Sequence, residues 1–248
     1  TIFWKPICKI PHGHASCNPM ARMCAPDRTM ALRPSIAKQI SRSGIMRRSI
    51  NTIMPLYRLF LAIELSSTIK QALAQHQATL QANKLNVSWV QPQRMHLTLH
   101  FLGDTDTALL PEIDQALAPI CAEQSPFELQ LSQTGGFPNL RRPSVLWVGV
   151  AGALKQLNTL YQAIGTALTE LELPVETRPY HPHLTLAYVR RNVARPDQAR
   201  IGELFAAQPA PPPLRWPVDR VVLFRSELLP GGPRYTPLYT WPFGHSAA

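Results

Sequence analysis

Between residues 57 and 65 apolar and polar positions alternate, the period of a half-buried strand, and Pro55-Leu56-Tyr57-Arg58-Leu59-Phe60-Leu61-Ala62-Ile63 reads as the first strand of a folded unit. Ser66 and Ser67 then offer N-caps for a helix through about Asn83, in which Ile69, Leu73 and Leu80 fall near helical spacing. Strand patterns follow at 87–90 and 96–102, and Gly103-Asp104 is predicted to break the second. A helix over 107–121 carries Leu109, Ile113, Leu117 and Ile120. Two more strands are predicted at 127–131 and 145–150, then a long helix at 152–173 presenting Leu154, Leu157, Leu160, Tyr161, Ile164 and Leu168. A strand at 183–189, a short helix near 196–206 and an extended proline spacer at 209–213 come next. A strand at 218–223, a turn at Pro230-Gly231-Gly232-Pro233 and a strand near 235–239 complete the pattern. Strands and helices mix without strict βαβ repetition, which predicts α+β with antiparallel sheets.

One tetrad occurs twice within this pattern, as His96-Leu97-Thr98-Leu99 and His183-Leu184-Thr185-Leu186, each after a strand, a helix and a further strand. The echo predicts a duplicated lobe and a pseudo-twofold arrangement. In a strand His96 and Thr98 share one face while Leu97 and Leu99 share the other, so the leucines can anchor the sheet as imidazole and hydroxyl are presented together. A pseudo-twofold sets the two pairs facing each other across a cleft. Phosphodiester cleavage in line needs a base on one side of phosphorus and an acid on the other. Imidazole, with an ordinary pKa of about 6.5, serves either role near neutrality. The threonine hydroxyls can donate to non-bridging oxygens as charge builds there.

The formal charge of +10 narrows this picture less than it promises. Residues 1–53 hold nine basic side chains and one acid, Asp27, whereas the remaining 195 hold 16 basic and 14 acidic. The part that carries the tetrads is nearly neutral, so bulk charge does not name its partner. Residues 1–53 also lack a sustained period, and are predicted to be a disordered leader or misassigned upstream sequence, with the folded domain spanning 54–248 from Met54. Cys8, Cys17 and Cys24 lie in that leader and only Cys121 beyond it, which excludes a disulfide framework and suits a reducing cytoplasm. Cys8, His12, His14, Cys17 and Cys24 lack the paired spacing of a zinc site. No apolar run approaches the roughly 18 residues of a membrane span.

A metal alternative rests on His181-x-His183 and His96-x3-His100. Apart from Asp104 no acid or cysteine lies near either tetrad, and strand parity places His100 on the His96 face, so no metal and no other cofactor is expected. No G-x-S-x-G is present.

Ser88-Trp89-Val90, Met95-His96-Leu97-Thr98-Leu99-His100-Phe101-Leu102-Gly103, Gly136-Phe137-Pro138, Val145-Leu146-Trp147-Val148-Gly149, His181-Pro182-His183-Leu184-Thr185-Leu186 and Arg234-Tyr235-Thr236-Pro237-Leu238 together resemble the two-histidine phosphoesterases. Within that superfamily the chain is similar to the bacterial RNA 2',3'-cyclic phosphodiesterases, also called 2'-5' RNA ligases, from about Met54 to Phe243. The resemblance implies a bilobal fold with helices outside, a cleft between the lobes, and opening of a 2',3'-cyclic phosphate to a 2'-phosphomonoester. It implies that His96 protonates the departing 3' oxygen, that His183 activates water, and that Thr98 and Thr185 hold the phosphate. The partner so implied is RNA with 2',3'-cyclic phosphate ends or a small cyclic nucleotide, with no membrane and no obligate protein partner.

Relatives often carry Arg five residues after the second histidine, where this chain has Tyr188. Strand parity assigns Arg191, rather than Arg190 or Tyr188, to the His183 face, which makes Arg191 a phosphate-binding candidate. Phe60, with Arg58 on the same face, is a candidate stacking surface for a base or else a core aromatic, and Arg141 and Arg142 are candidates to steer an RNA strand. Two other functions fit the same side chains: ligation or cleavage of 2'-5' linkages, and a non-catalytic RNA-binding module.

Overall fold

The computed structural model describes residues 55–244, so the leader over residues 1–53 and the boundary at Met54 lie outside the described residues. The alternating first segment forms β1 (Leu56–Glu64), which pairs antiparallel on one side with β3 (His96–Asp106) and on the other with β8 (Arg220–Leu229); β9 (Gly232–Pro242) completes a four-stranded sheet of order β3-β1-β8-β9. The second sheet has five strands, ordered β2 (Val87–Trp89), β6 (His183–Val189), β5 (Val145–Gly152), β4 (Phe127–Phe137) and β7 (Arg215–Val218), again antiparallel throughout. The two tetrads thus open β3 and β6, one in each sheet.

Four α-helices lie among the described residues: α1 (Ser67–Gln81), α2 (Leu110–Ala122), α3 (Leu154–Glu170) and α4 (Arg195–Ala206). Ser66 caps α1 as its sequence position requires, its Oγ accepting from the Ile69 N–H at 3.3 Å. The apolar stripe of α3 buries Leu157, Leu160, Tyr161, Ile164 and Leu168. These side chains join Leu59, Leu61 and Ile63 of β1, Leu97 of β3 and Leu184 of β6 in one continuous core. Burial of each such side chain contributes roughly 1.5–3 kcal/mol. On the other face of the first sheet Phe60, Ala62, Val222 and Phe224 form a smaller apolar cluster with Tyr235 against it. β1 and β8 are therefore apolar on both faces, one facing the core and one facing the site described below.

Several strands, β3 and β4 among them, run longer than their local patterns predict. β3 does not break at Gly103-Asp104 but continues to Asp106, because Gly103 takes a φ of +67° that other residues rarely adopt and the strand keeps pairing with β1 beyond it. β4 reaches Phe137, past Gly135, where a Cβ would lie 2.3 Å from the Trp147 ring of β5. Glycine there lets the indole lie flat across the neighbouring strand. The proline-rich stretch after α4 has no regular structure, and the expected strand at 218–223 is divided at Asp219 into β7 and β8.

Candidate active site

On β3 the His96 and Thr98 side chains are half-buried while Leu97 and Leu99 are buried, and on β6 His183 and Thr185 are half-buried above buried Leu184 and Leu186. The period-2 reading of the tetrads therefore holds in both lobes. It fails one residue later, and in the same way in each. Ala62 pairs with Thr98 and Leu61 with His100, which leaves Leu99 without a partner; Trp147 pairs with Thr185 and Leu146 with Ala187, which leaves Leu186 without one. Each tetrad ends in a β-bulge, and a bulge reverses the parity of everything after it.

The first consequence corrects the expectation for His100, which turns into the core, 2% exposed, instead of sharing the His96 face. Its Nε2–H donates to the Tyr161 carbonyl of α3 at 2.9 Å, and its ring stacks on Tyr161, which stacks on Tyr180. The Tyr180 hydroxyl donates to the Thr98 carbonyl at 3.0 Å, tying the segment before the second tetrad to the middle of the first. The second consequence concerns the parity argument for Arg191: β6 ends at Val189 and Arg191 stands in the turn beyond it, so alternation does not set its side, while Tyr188 takes the place beside Thr185. Tyr188 shares a hydrogen bond with the Thr185 hydroxyl, and burial pushes its pKa up.

The bulges are braced by helices from the opposite half. Gln77 of α1 donates Nε2–H to the Leu186 carbonyl at 2.9 Å and to the Val90 carbonyl at 2.8 Å, and the Val90 N–H donates to the same Leu186 oxygen at 2.8 Å. So α1, which follows β1 of the first sheet, secures the bulge of the second, and α3, which follows β5 of the second sheet, secures the bulge of the first. The pseudo-twofold expected from the repeated tetrad extends to these crossed contacts.

The histidines are held alike. His96 Nδ1–H donates to the Arg94 carbonyl and His183 Nδ1–H to the His181 carbonyl, each at 2.8 Å and each two residues back. A carbonyl can only accept, so both neutral rings carry their proton on Nδ1 and offer the Nε2 lone pair to a substrate. Burial lowers the His96 pKa to about 4; the Arg94 carbonyl opposes that shift, while the charges of Lys70 and His183 add to it. His183 is likewise lowered by burial, opposed by its bond to His181. The two imidazoles are thus near enough for the charge of one to disfavour protonation of the other.

Aromatic side chains wall both rings. Phe60 stacks on His96 with centroids 4.7 Å apart, Tyr235 meets it edge-on at 5.3 Å, and Phe224 lies at 6.4 Å. Phe60 is 3% exposed, so it packs under the imidazole and has no open face for a base, which corrects its candidacy as a stacking platform. Around His183, Phe137 stands perpendicular at 4.8 Å and Trp147 lies at 6.3 Å. Phe224, Tyr180 and the role of Tyr235 escape a reading by motif alone, although alternation along β8 places Phe224 on the same face as Val222. Arg141 and Arg142 lie exposed in the loop after Phe137, where Asn139 Oδ1 accepts from both of their backbone N–H groups. Among the described residues no group of three or more His, Cys, Asp or Glu side chains is arranged to hold a metal ion, and no helix is long and apolar enough to cross a membrane.

The chain matches the family model described as the 2'-5' RNA ligase superfamily over residues 63–228. It is 32% identical over 180 residues to the RNA 2',3'-cyclic phosphodiesterase of Methanothermobacter thermautotrophicus, covering 72% of this chain and 95% of that one. It is 34% identical over 188 residues to the enzyme of the same name from Thermus thermophilus, covering 73% of this chain and 87% of the relative. Among solved structures it is similar to E. coli LigT complexed with NADP+, with a TM-score of 0.61 and 27% identity over 77% of this chain and 99% of that one.

Proposed function

The chain belongs to the 2'-5' RNA ligase superfamily of two-histidine phosphoesterases, and on that premise we infer that it is a hydrolase opening 2',3'-cyclic phosphate ends of RNA to 2'-phosphomonoesters. The observation that supports this reading best is the matched pair of imidazoles. Each is fixed through Nδ1 to a carbonyl two residues back, and each has a threonine two residues on along the same face. In the reaction His183 Nε2 takes a proton from water as its oxygen attacks phosphorus, the bond from phosphorus to the ribose 3' oxygen breaks, and His96 gives its proton to that oxygen. Thr98 and Thr185 donate to the non-bridging oxygens, with Tyr188 beside Thr185 on the same wall. Every proton in this scheme is carried by an imidazole.

The assay is hydrolysis of a nucleoside 2',3'-cyclic phosphate in EDTA, with identification of the product isomer, for the wild type, His96→Ala and His183→Ala. Turnover to the 2'-phosphate that persists in EDTA and collapses in both variants is expected. Turnover restored only by added metal would refute the histidine mechanism. The family description also names 2'-5' ligation, in which the same four side chains would serve a 5'-hydroxyl that attacks the cyclic phosphorus in place of water and displaces the 3' oxygen. A 2'-5' linked dinucleotide offered beside the cyclic mononucleotide separates the two activities.

A further inference from the structure

A depression of about 430 Å³, largely open to solvent, is lined by Gln93 and Arg94 before β3 and by the β8–β9 hairpin through Leu229, Gly232, Arg234 and Tyr235. That volume falls in the range of small-ligand sites. We propose that this cavity seats the nucleotide immediately 5' of the reacting end, so that the enzyme's substrate class is single-stranded RNA longer than one nucleotide. The proposal rests on the cyclic phosphodiesterase reading and adds a second subsite to it.

The position follows from Tyr235, whose ring meets the His96 imidazole edge-on at 5.3 Å and also lines the cavity. An RNA whose terminal phosphate sits at His96 has its next phosphate one nucleotide away, and the cavity begins one aromatic ring away. The chemistry of the lining suits a nucleotide. Two guanidiniums, Arg94 and Arg234, can meet a phosphate, while Leu229, Pro233 and Tyr235 provide apolar surface for a base or ribose. Arg94 spends one donor, from Nη2 to the Gly231 carbonyl at 3.1 Å, which fixes the hairpin tip. Gly232 there has a φ of +100°, a backbone that requires glycine. Arg234 bonds Glu227 through Nε at 3.0 Å and Nη2 at 2.8 Å, but Glu227 also binds Arg225 at 3.0 Å, so one carboxylate answers two guanidiniums and the group stays cationic. Burial pushes the Tyr235 hydroxyl's pKa up, with Tyr188 adding to the shift and the Arg94 and Arg58 guanidiniums opposing it.

The test compares kcat/KM for a dinucleotide ending in a 2',3'-cyclic phosphate with that for the matching nucleoside 2',3'-cyclic monophosphate. The wild type is expected to prefer the dinucleotide by about tenfold, and that preference to shrink between about 50 and 200 mM salt. Arg234→Gln and Leu229→Glu, both at exposed positions, should cut the preference at least about threefold while mononucleotide turnover stays within about twofold, which also shows that the variants fold. Arg215→Gln, the same charge change on β7, should leave the preference intact. Equal kcat/KM for the two substrates in the wild type, or equal losses on both in the variants, would overturn the second subsite and leave the phosphodiesterase reading standing. Absence of turnover on both substrates would overturn the two together.

Discussion

The protonation of His96 sets a quantitative demand on the mechanism. With its pKa lowered to about 4 by burial, only about one His96 in a thousand carries the acid's proton at pH 7 in the free protein. The substrate itself can restore it. A phosphate monoanion about 4 Å from the ring, at an effective dielectric of about 20, favours the charged imidazole by about 4 kcal/mol. At roughly 1.4 kcal/mol per pH unit that returns the pKa by about 3 units, to near 7. Two outcomes are expected. The His96 ring proton resonances, assigned by comparison with His96→Asn, should titrate near pH 4 in the free protein and near neutrality with saturating inorganic phosphate. The kcat/KM profile, which reports the free enzyme, should be bell-shaped with its maximum below pH 6.5, because His183 is lowered as well, whereas the kcat maximum should lie closer to neutrality. A free-protein His96 titrating at or above 6.5, or one unmoved by phosphate, would refute the reasoning.

The same shift acts on stability. Between pH 6.5 and about 4 the unfolded chain binds a proton at residue 96 that the folded chain does not, so the wild type should lose up to about 3 kcal/mol on acidification across that window, and His96→Asn should show a shallower fall in urea midpoints at pH 7 and pH 5. Phe60→Ala removes a buried ring and should cost about 3–4 kcal/mol, lowering Tm by roughly 10 °C; by admitting water to His96 it should also raise that residue's pKa, read from the same titration. Tyr180→Phe keeps the aromatic stack but deprives the Thr98 carbonyl of its donor, and a loss of about 1–2 kcal/mol by denaturant midpoint is expected. A neutral Tyr180→Phe would show that the tie between the tetrads carries no energy.

The two histidine–threonine pairs were legible because strand alternation is local. A histidine and a threonine two residues apart share a face wherever the chain is extended, and the flanking leucines say which face is inward. The antiparallel α+β class and the helix positions follow from the same short-range periods, as does the cap at Ser66. His100 and Tyr188 were misassigned by that very rule, and it does not reach Arg191, which stands beyond the end of β6. The orientation of the first two depends on a bulge after each tetrad, and a bulge is a property of a strand pair.

The sequence by itself therefore determined the two tetrads and the side of the sheet each presents, whereas the further strand expected ahead of each tetrad stands only before the first, as β2. Only the tertiary structure decided which residue follows each threonine into the site. The Leu99 bulge is set by pairing with β1 and backed where His100 meets a carbonyl 61 residues away; the Leu186 bulge is set by pairing with β5 and braced by Gln77, 109 residues away. No period within a strand records such partners, because the register of a sheet is settled where two distant segments meet.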